Sequence, residues 1–267
     1  MSVARPVVLV TGASSGIGEA AAKHLAERGY CVFGASRSEP KGPAPFRHVP
    51  LDVRDEEAVR RAVQRIENEA GPIGALVCCA GYGVFGSIEE TSLERVRAQF
   101  ETNVFGTLIP VRAVLPMMRE ARAGRIVIVG SLAGRAPIPF QAHYSATKAA
   151  LDALALALRN EVLPYGVRVS LIEPGDISTG FNERTDWGSS EDSPYGERLR
   201  RCERVIRDSL PRAPHPSLVA RVIHRALRAH RPRVRYTVGP DSTLVPLGRR
   251  LFPDFVSLEL IRSHFKV

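Results

Sequence analysis

Six short runs rich in valine and isoleucine alternate with longer segments of helical spacing, and this alternation narrows the possible architectures sharply. The runs are Val7–Val10, Cys31–Ala35, Arg47–Leu51, Ala75–Cys79, Arg125–Gly130 and Arg168–Glu173. Between them, Ala58, Val59, Ala62, Val63 and Ile66 mark the inner face of one helix, and Ala20, His24, Leu25 and Arg28 belong to another. Strand-helix-strand alternation implies an α/β protein with a parallel sheet covered by helices. The strands are continuously apolar rather than alternating, as strands covered on both faces should be.

At 267 residues, with 44% hydrophobic and 24% charged residues, the chain suits one large soluble domain, 1–267. No internal repeat or low-complexity linker divides it, and Pro40–Pro45 reads as a loop. Past Pro174-Gly175 the pattern changes. Phe181–Ser193 reads as a mobile loop, Tyr195–Leu210 and Ser217–His230 as basic helices, and Arg233–Val238 as a last strand. Ser217 is the expected N-cap of the second of these helices. Residues 176–215 are therefore expected to form a substrate-binding loop or lid, and 240–267 an irregular apolar tail. No run of about 18 apolar residues appears, and Met1–Pro6 lacks a secretory core, so a cytoplasmic protein is expected. The four cysteines, Cys31, Cys78, Cys79 and Cys202, match no metal spacing and read as reduced and structural; no metal is expected.

The net charge of +9 is concentrated between Gly196 and Arg250, where 14 arginines face four carboxylates. This is a solvated basic surface, or one that attracts an anionic substrate, an acidic carrier or a membrane surface. No nucleic-acid-binding motif accompanies it.

Gly12, Gly16 and Gly18 stand between the first run and the first helical segment, in Thr11-Gly12-Ala13-Ser14-Ser15-Gly16-Ile17-Gly18. Glycines let the backbone turn tightly and approach a ligand, and a helix N-terminus favours a pyrophosphate. No lysine follows with the spacing of an ATP-type loop. At the end of the second strand a carboxylate would bind a ribose 2′-hydroxyl; here Ser36 and Arg37 stand instead, which suits a 2′-phosphate and favours NADP(H) over NAD(H). Asp52, followed by Val53 at the end of the third strand, is placed to accept from an adenine amino group.

Tyr144 and Lys148 are four residues apart in a helical segment and so share a face. A cation beside a phenol favours the phenolate. Ser131 follows the Arg125–Gly130 run, at the sheet edge where ligands bind, and its hydroxyl suits a carbonyl oxygen gaining charge. His143 is given no role, because adjacent helical residues point apart.

Together, Thr11-Gly-x-x-x-Gly16-x-Gly18, Asp52, Asn103, Ser131, Tyr144-x-x-x-Lys148 and Pro174-Gly175 resemble the short-chain dehydrogenase/reductase family over about Val7 to Thr179. The resemblance implies a single-domain, Rossmann-type doubly wound parallel sheet of about seven strands, order 3-2-1-4-5-6-7. It implies Tyr144 as proton donor or acceptor, Lys148 as its pKa-lowering, ribose-binding partner, Ser131 as substrate orienter and Asn103 in a water relay. Thr179 matches the residue that binds the nicotinamide carboxamide. The implied dinucleotide contacts are Gly12, Ser14, Ser15, Gly16, Ile17, Gly18, Ser36, Arg37, Asp52, Val53, Ala80, Gly81, Asn103, Tyr144, Lys148, Pro174, Gly175, Ile177 and Thr179. A homodimer or homotetramer is implied as well. One departure is Cys79-Ala80-Gly81, where the family usually carries Asn-Ala-Gly; the asparagine's bonds between strands would be missing.

Val84, Phe85, Leu132, Phe140, Phe181 and Trp187 are expected near the pocket mouth, which suits a lipophilic alcohol or ketone. The Arg233-x-Arg235-Tyr236 stretch and the long tail resemble the hydroxysteroid and retinol dehydrogenase branch. Three functions compete: an NADP(H)-linked oxidoreductase of lipophilic secondary alcohols and their carbonyl partners, a reductase of carrier-bound 3-oxoacyl chains, and a dinucleotide-binding regulator without turnover.

Overall fold

The computed structural model describes residues 6–188 and 192–267. Seven strands form the main sheet: β1 (Val7–Thr11), β2 (Cys31–Ser36), β3 (Arg47–Pro50), β4 (Ile73–Cys78), β5 (Gly124–Val129), β6 (Val167–Pro174) and β7 (Arg235–Val238). All neighbours pair in parallel, in the order β3-β2-β1-β4-β5-β6-β7. This is the doubly wound arrangement expected from the sequence.

The strand residues divide by parity. Val7 and Leu9 of β1, Leu76 and Cys78 of β4, and Ile126 and Ile128 of β5 join one core. Val8 and Val10, Ala75 and Val77, and Val127 and Val129 join the other. Successive side chains of a strand point to opposite faces, so both sets must be apolar when both faces are covered. The first face is closed by α2 (Glu56–Ala70), α4 (Gly106–Glu120) and α5 (Ala142–Val162) through Val59, Ile66, Val114, Met118 and Leu151. The second is closed by α1 (Gly16–Glu27) and α7 (Ser217–Arg228) through Ala21, Leu25, Val219 and Ile223. Burial of each such Leu or Ile contributes roughly 1.5–3 kcal/mol. β1 lies between β2 and β4, so the chain winds in opposite directions from it. The crevice at that switch point is where such sheets bind ligands.

The second half departs from the sequence reading in three places. Pro216, not Ser217, occupies the N-cap of α7; Ser217 is its first helical residue, and its N–H donates to Nδ1 of His215 at 3.2 Å. The segment after Phe181 is ordered over much of its length. A turn of helix spans Asn182–Arg184, and Asp186–Trp187 pairs with Val84–Phe85, while Ser189, Ser190 and Glu191 of that segment lie outside the described residues. The tail is helical rather than irregular: α8 (Leu244–Leu251) and α9 (Asp254–His264) follow α6 (Gly196–Ser209) and α7. The remaining helix, α3 (Leu93–Phe100), runs into a π-turn at Glu101–Phe105.

Candidate active site

A cavity of about 930 Å³ opens at the carboxyl ends of β1, β4, β5 and β6. The glycine turn forms its middle. Gly12 has φ +70°, and a Cβ there would lie 2.8 Å from the backbone N of Ala80. A Cβ on Gly18 would collide with the Gly12 carbonyl. The turn therefore needs glycine for two reasons, left-handed backbone at one position and close approach at the other. Ser15 is the N-cap of α1 and makes no side-chain bond to the first turn, which leaves that helix end facing the cavity. The Arg184 guanidinium instead reaches across and donates to the Ser15 hydroxyl.

At one end lie Ser36, Arg37 and Asp52. Ser36 donates to the Ser38 carbonyl at 2.9 Å and is 3.0 Å from Nε2 of His48. Asp52 is gripped by Arg54, whose Nε and Nη2 donate at 3.0, 3.1 and 2.6 Å. Hydrogen bonds from Arg54 hold the Asp52 carboxyl below its usual range, and the charge of Arg37 adds to this. No carboxylate ends β2, and two guanidinium groups flank the site where a third-strand carboxylate stands.

At the other end α5 delivers Tyr144 and Lys148. Lys148 is buried; its Nζ lies 5.7 Å from the centre of the Tyr144 ring and donates to the Val129 carbonyl at 3.1 Å. The Ser131 hydroxyl lies near the Tyr144 phenol and favours its ionised form. The same hydroxyl accepts from the Ala133 N–H at 3.1 Å and so caps a short helical turn. The electrostatics run against the sequence reading. Burial pushes the Tyr144 phenol up to about 12, with the Ser131 hydroxyl drawing it back only in part. Burial also pushes Lys148 down to about 8. Both groups lose water, and desolvation is the largest influence on each.

Every dinucleotide contact inferred from sequence lines this cavity except Asn103. Asn103 is fully buried in the π-turn. Its side-chain amide donates to the Tyr82 carbonyl at 3.0 Å and to Thr147 Oγ1 at 3.1 Å, and its Oδ1 accepts from the Tyr82 N–H at 3.0 Å. The side chain therefore ties the Gly81–Tyr82 segment to α5 rather than facing the cavity. Cys79 and Ala80 are held to the end of β1 through their backbone: the Thr11 Oγ1 accepts from the N–H groups of Cys79 at 3.2 Å and Ala80 at 3.4 Å.

Of the six residues expected at the pocket mouth, only Leu132 and Phe181 line it. Phe85, Phe140 and Trp187 instead pack with Leu199 and Cys202 into a small core against α6, and Val84 is buried. The mouth is built by residues the sequence reading missed: Val205, Ile206 and Leu210 at α6, and Val245, Ile261 and Phe265 from the tail. Arg54 and Arg184 were missed too, because their roles arise only when distant loops meet. Among the described residues no cluster of His, Cys, Asp or Glu could hold a metal ion.

Residues 6–188 match the family model for short chain dehydrogenase. The chain belongs to the short-chain dehydrogenase family. It is an oxidoreductase of that family by this match and by its relatives. A 3-ketodihydrosphingosine reductase from Bacteroides thetaiotaomicron is 36% identical over 266 residues, covering 98% of each chain. An NADPH-dependent 3-dehydrocapnine reductase from Ornithobacterium rhinotracheale is 33% identical, covering 92% of each. The solved structure of a short-chain dehydrogenase from Streptomyces avermitilis superposes with a TM-score of 0.81 at 32% identity, over 97% of this chain and 96% of that one. The cavity also fits the dinucleotide that such family members use. Its glycine cradle leaves no room for a Cβ, and an uncapped helix N-terminus stands beside it.

Proposed function

We propose that this chain is an NADP(H)-dependent oxidoreductase that interconverts a lipophilic secondary alcohol and its ketone. The observation that carries the reading is the trio lining one cavity: Ser131, Tyr144 and Lys148, with the Lys148 ammonium 5.7 Å from the centre of the phenol ring. Arg37 and Arg54 would hold a 2′-phosphate with fork-shaped donors, and the glycine turn would hold the pyrophosphate. A bound nicotinamide supplies or accepts the hydride. In reduction, Tyr144 gives its proton to the carbonyl oxygen as that oxygen gains charge, and Ser131 donates a hydrogen bond to the same oxygen. A phenol held neutral by burial carries the proton that reduction requires. Lys148 supplies the positive charge that offsets the phenolate left behind. The names of two relatives, one a 3-keto sphingoid reductase and one NADPH-dependent, support the direction and the cofactor.

The apolar mouth, lined by Leu132, Phe181, Ile206 and Ile261, favours a lipophilic substrate. The exposed arginines of α6, Arg198 and Arg204 among them, favour a second reading, reduction of acyl chains on an acidic carrier. We infer further that 1–267 works as one domain with 176–215 as its lid. Incubating the protein with NADPH or NADH and a carbonyl panel, while nicotinamide absorbance is followed, tests these readings. Oxidation of NADPH with lipophilic ketones supports the first. Oxidation only with carrier-bound 3-oxoacyl thioesters supports the second. Tight cofactor binding with no turnover on any carbonyl would leave a dinucleotide-binding regulator.

A further inference from the structure

The two tail helices turn an apolar face outward at the rim of the cavity. Leu244, Leu247 and Leu251 recur on one side of α8, and Phe252, Phe255 and Leu258 continue the strip onto α9. All six are exposed, Leu244 to 70% and Phe255 to 74%. Half of the large apolar side chains exposed among the described residues thus fall within 15 positions of the sequence. A soluble surface rarely gathers such side chains unless something covers them. The same helices send Val245, Ile261 and Phe265 inward to line the cavity, so whatever meets the strip also meets the mouth.

We propose that this strip docks the protein on a lipid bilayer bearing anionic headgroups, with the cavity mouth against the membrane. Three observations choose the bilayer over a second copy of the chain. First, Phe265 and Val267, just beyond the end of α9, pack into the same small cluster as Leu199 and Cys202 of α6, whose outer side exposes Arg198, Arg201 and Arg204. Cations beside an apolar strip complement acidic lipid, whereas a second copy would bring a second arginine-rich surface against the first. Second, α8 and α9 have eight and eleven residues. At about 1.5 Å per residue neither approaches the roughly 30 Å core of a bilayer, so they suit lying in its interface. No helix among the described residues is long and apolar enough to cross a membrane. Third, a lipophilic substrate concentrates in the bilayer and would enter an apolar mouth without passing through water. This third point rests on the substrate class proposed above; the first two do not.

Flotation of the full chain with vesicles tests the docking without any turnover. The expected result is weak binding to phosphatidylcholine, at least about tenfold stronger binding when phosphatidylglycerol is added, and loss of that gain in high salt. Leu251→Glu combined with Phe255→Glu should lower binding to the mixed vesicles by about tenfold or more, with circular dichroism and NADPH affinity unchanged. Should that variant fold poorly, Arg198→Glu with Arg204→Glu provides the second arm and should remove the preference for phosphatidylglycerol. Failure to float with either lipid would overturn the proposal. So would undiminished flotation of the Leu251/Phe255 variant, or a solution dimer that those two changes convert to monomer. Docking without turnover of any lipophilic carbonyl would sink the substrate reading proposed above and leave the docking standing.

Discussion

At the scale of single residues, burial governs the site. The phenol and the ammonium of α5 are both driven toward their neutral forms. Replacing Tyr144 with Phe removes only the transferable proton. Turnover should fall by at least about a thousandfold, within the range for loss of a general acid, while NADPH affinity by fluorescence titration stays within about twofold. Lys148 has a measurable signature in the cofactor-free protein. Its folded value is about 8 against 10.5 unfolded. Between those values the unfolded chain holds a proton that the folded chain has lost, so stability rises with pH over that window. The penalty of the buried ammonium is fully present below pH 8 and is relieved above it. The buried thiols Cys78, Cys79 and Cys202, all raised by burial, pull stability the opposite way over the same window, so the signature is read as a difference: between pH 8 and 10 the stability of the native chain relative to Lys148→Met should rise by on the order of 2–3 kcal/mol in urea unfolding. Arg37→Asp replaces a fork-shaped donor with a repelling charge. It should lower the ratio of kcat/KM for NADPH to that for NADH by about ten- to a hundredfold, and an unchanged ratio would show that Arg37 does not read the phosphate.

At the scale of elements, the link between β6 and the turn after β5 is the most exposed to disruption. Glu173 is buried and accepts two bonds from Arg135, at 2.7 and 2.8 Å. Burial raises the Glu173 carboxyl, and Arg135 opposes that rise. Arg135→Met should cost about 3 kcal/mol, because it leaves a buried carboxylate with no hydrogen-bonding cation and only Arg235, 3.9 Å away, to offset its charge. The loss should shrink as pH falls and Glu173 takes up a proton, and adding Glu173→Gln should recover much of it. The strands around this link were legible in the sequence. Doubly covered strands must be apolar on both faces, and α5 carries its Tyr144 and Lys148 at a spacing that any helix places on one side. The tail was not legible. Pro246 and Gly248 are poor helix formers and α8 is only eight residues long, so local propensity argues against a helix there. The Asp186–Trp187 strand is two residues long, and nothing local distinguishes it from loop. Arg184 meets Ser15 across 169 positions, a contact that only tertiary structure creates. Asn103 stood at the motif position, but its three side-chain bonds to Tyr82 and Thr147 depend on the π-turn, which the sequence does not announce.

At the scale of the whole molecule, both cores and the cavity share one sheet, so unfolding should be a single event. Trp187 is the one tryptophan and sits in the small cluster against α6, in the proposed lid and apart from the main sheet. Thermal melting followed by its fluorescence and by far-ultraviolet circular dichroism should coincide. An earlier fluorescence transition would show a lid that melts on its own. NADPH at about 100 times its dissociation constant should add about 2.7 kcal/mol, shifting both curves upward by roughly 5–10 °C.

The winding order of the sheet also bears on how the chain assembles during synthesis. β6 is finished at Pro174, yet its outer neighbour, β7, begins only at Arg235. A ribosome adds about 5–20 residues each second, so the outer edge of β6 stays open for roughly 3–12 s after β6 has been made. Throughout that interval the nascent sheet offers unpaired backbone beside Leu171 and Ile172, the kind of edge on which unfinished chains stick to one another. Slowing initiation by growing the expression host cold should therefore raise the soluble yield, and chains cut short before Arg235 should collect in inclusion bodies.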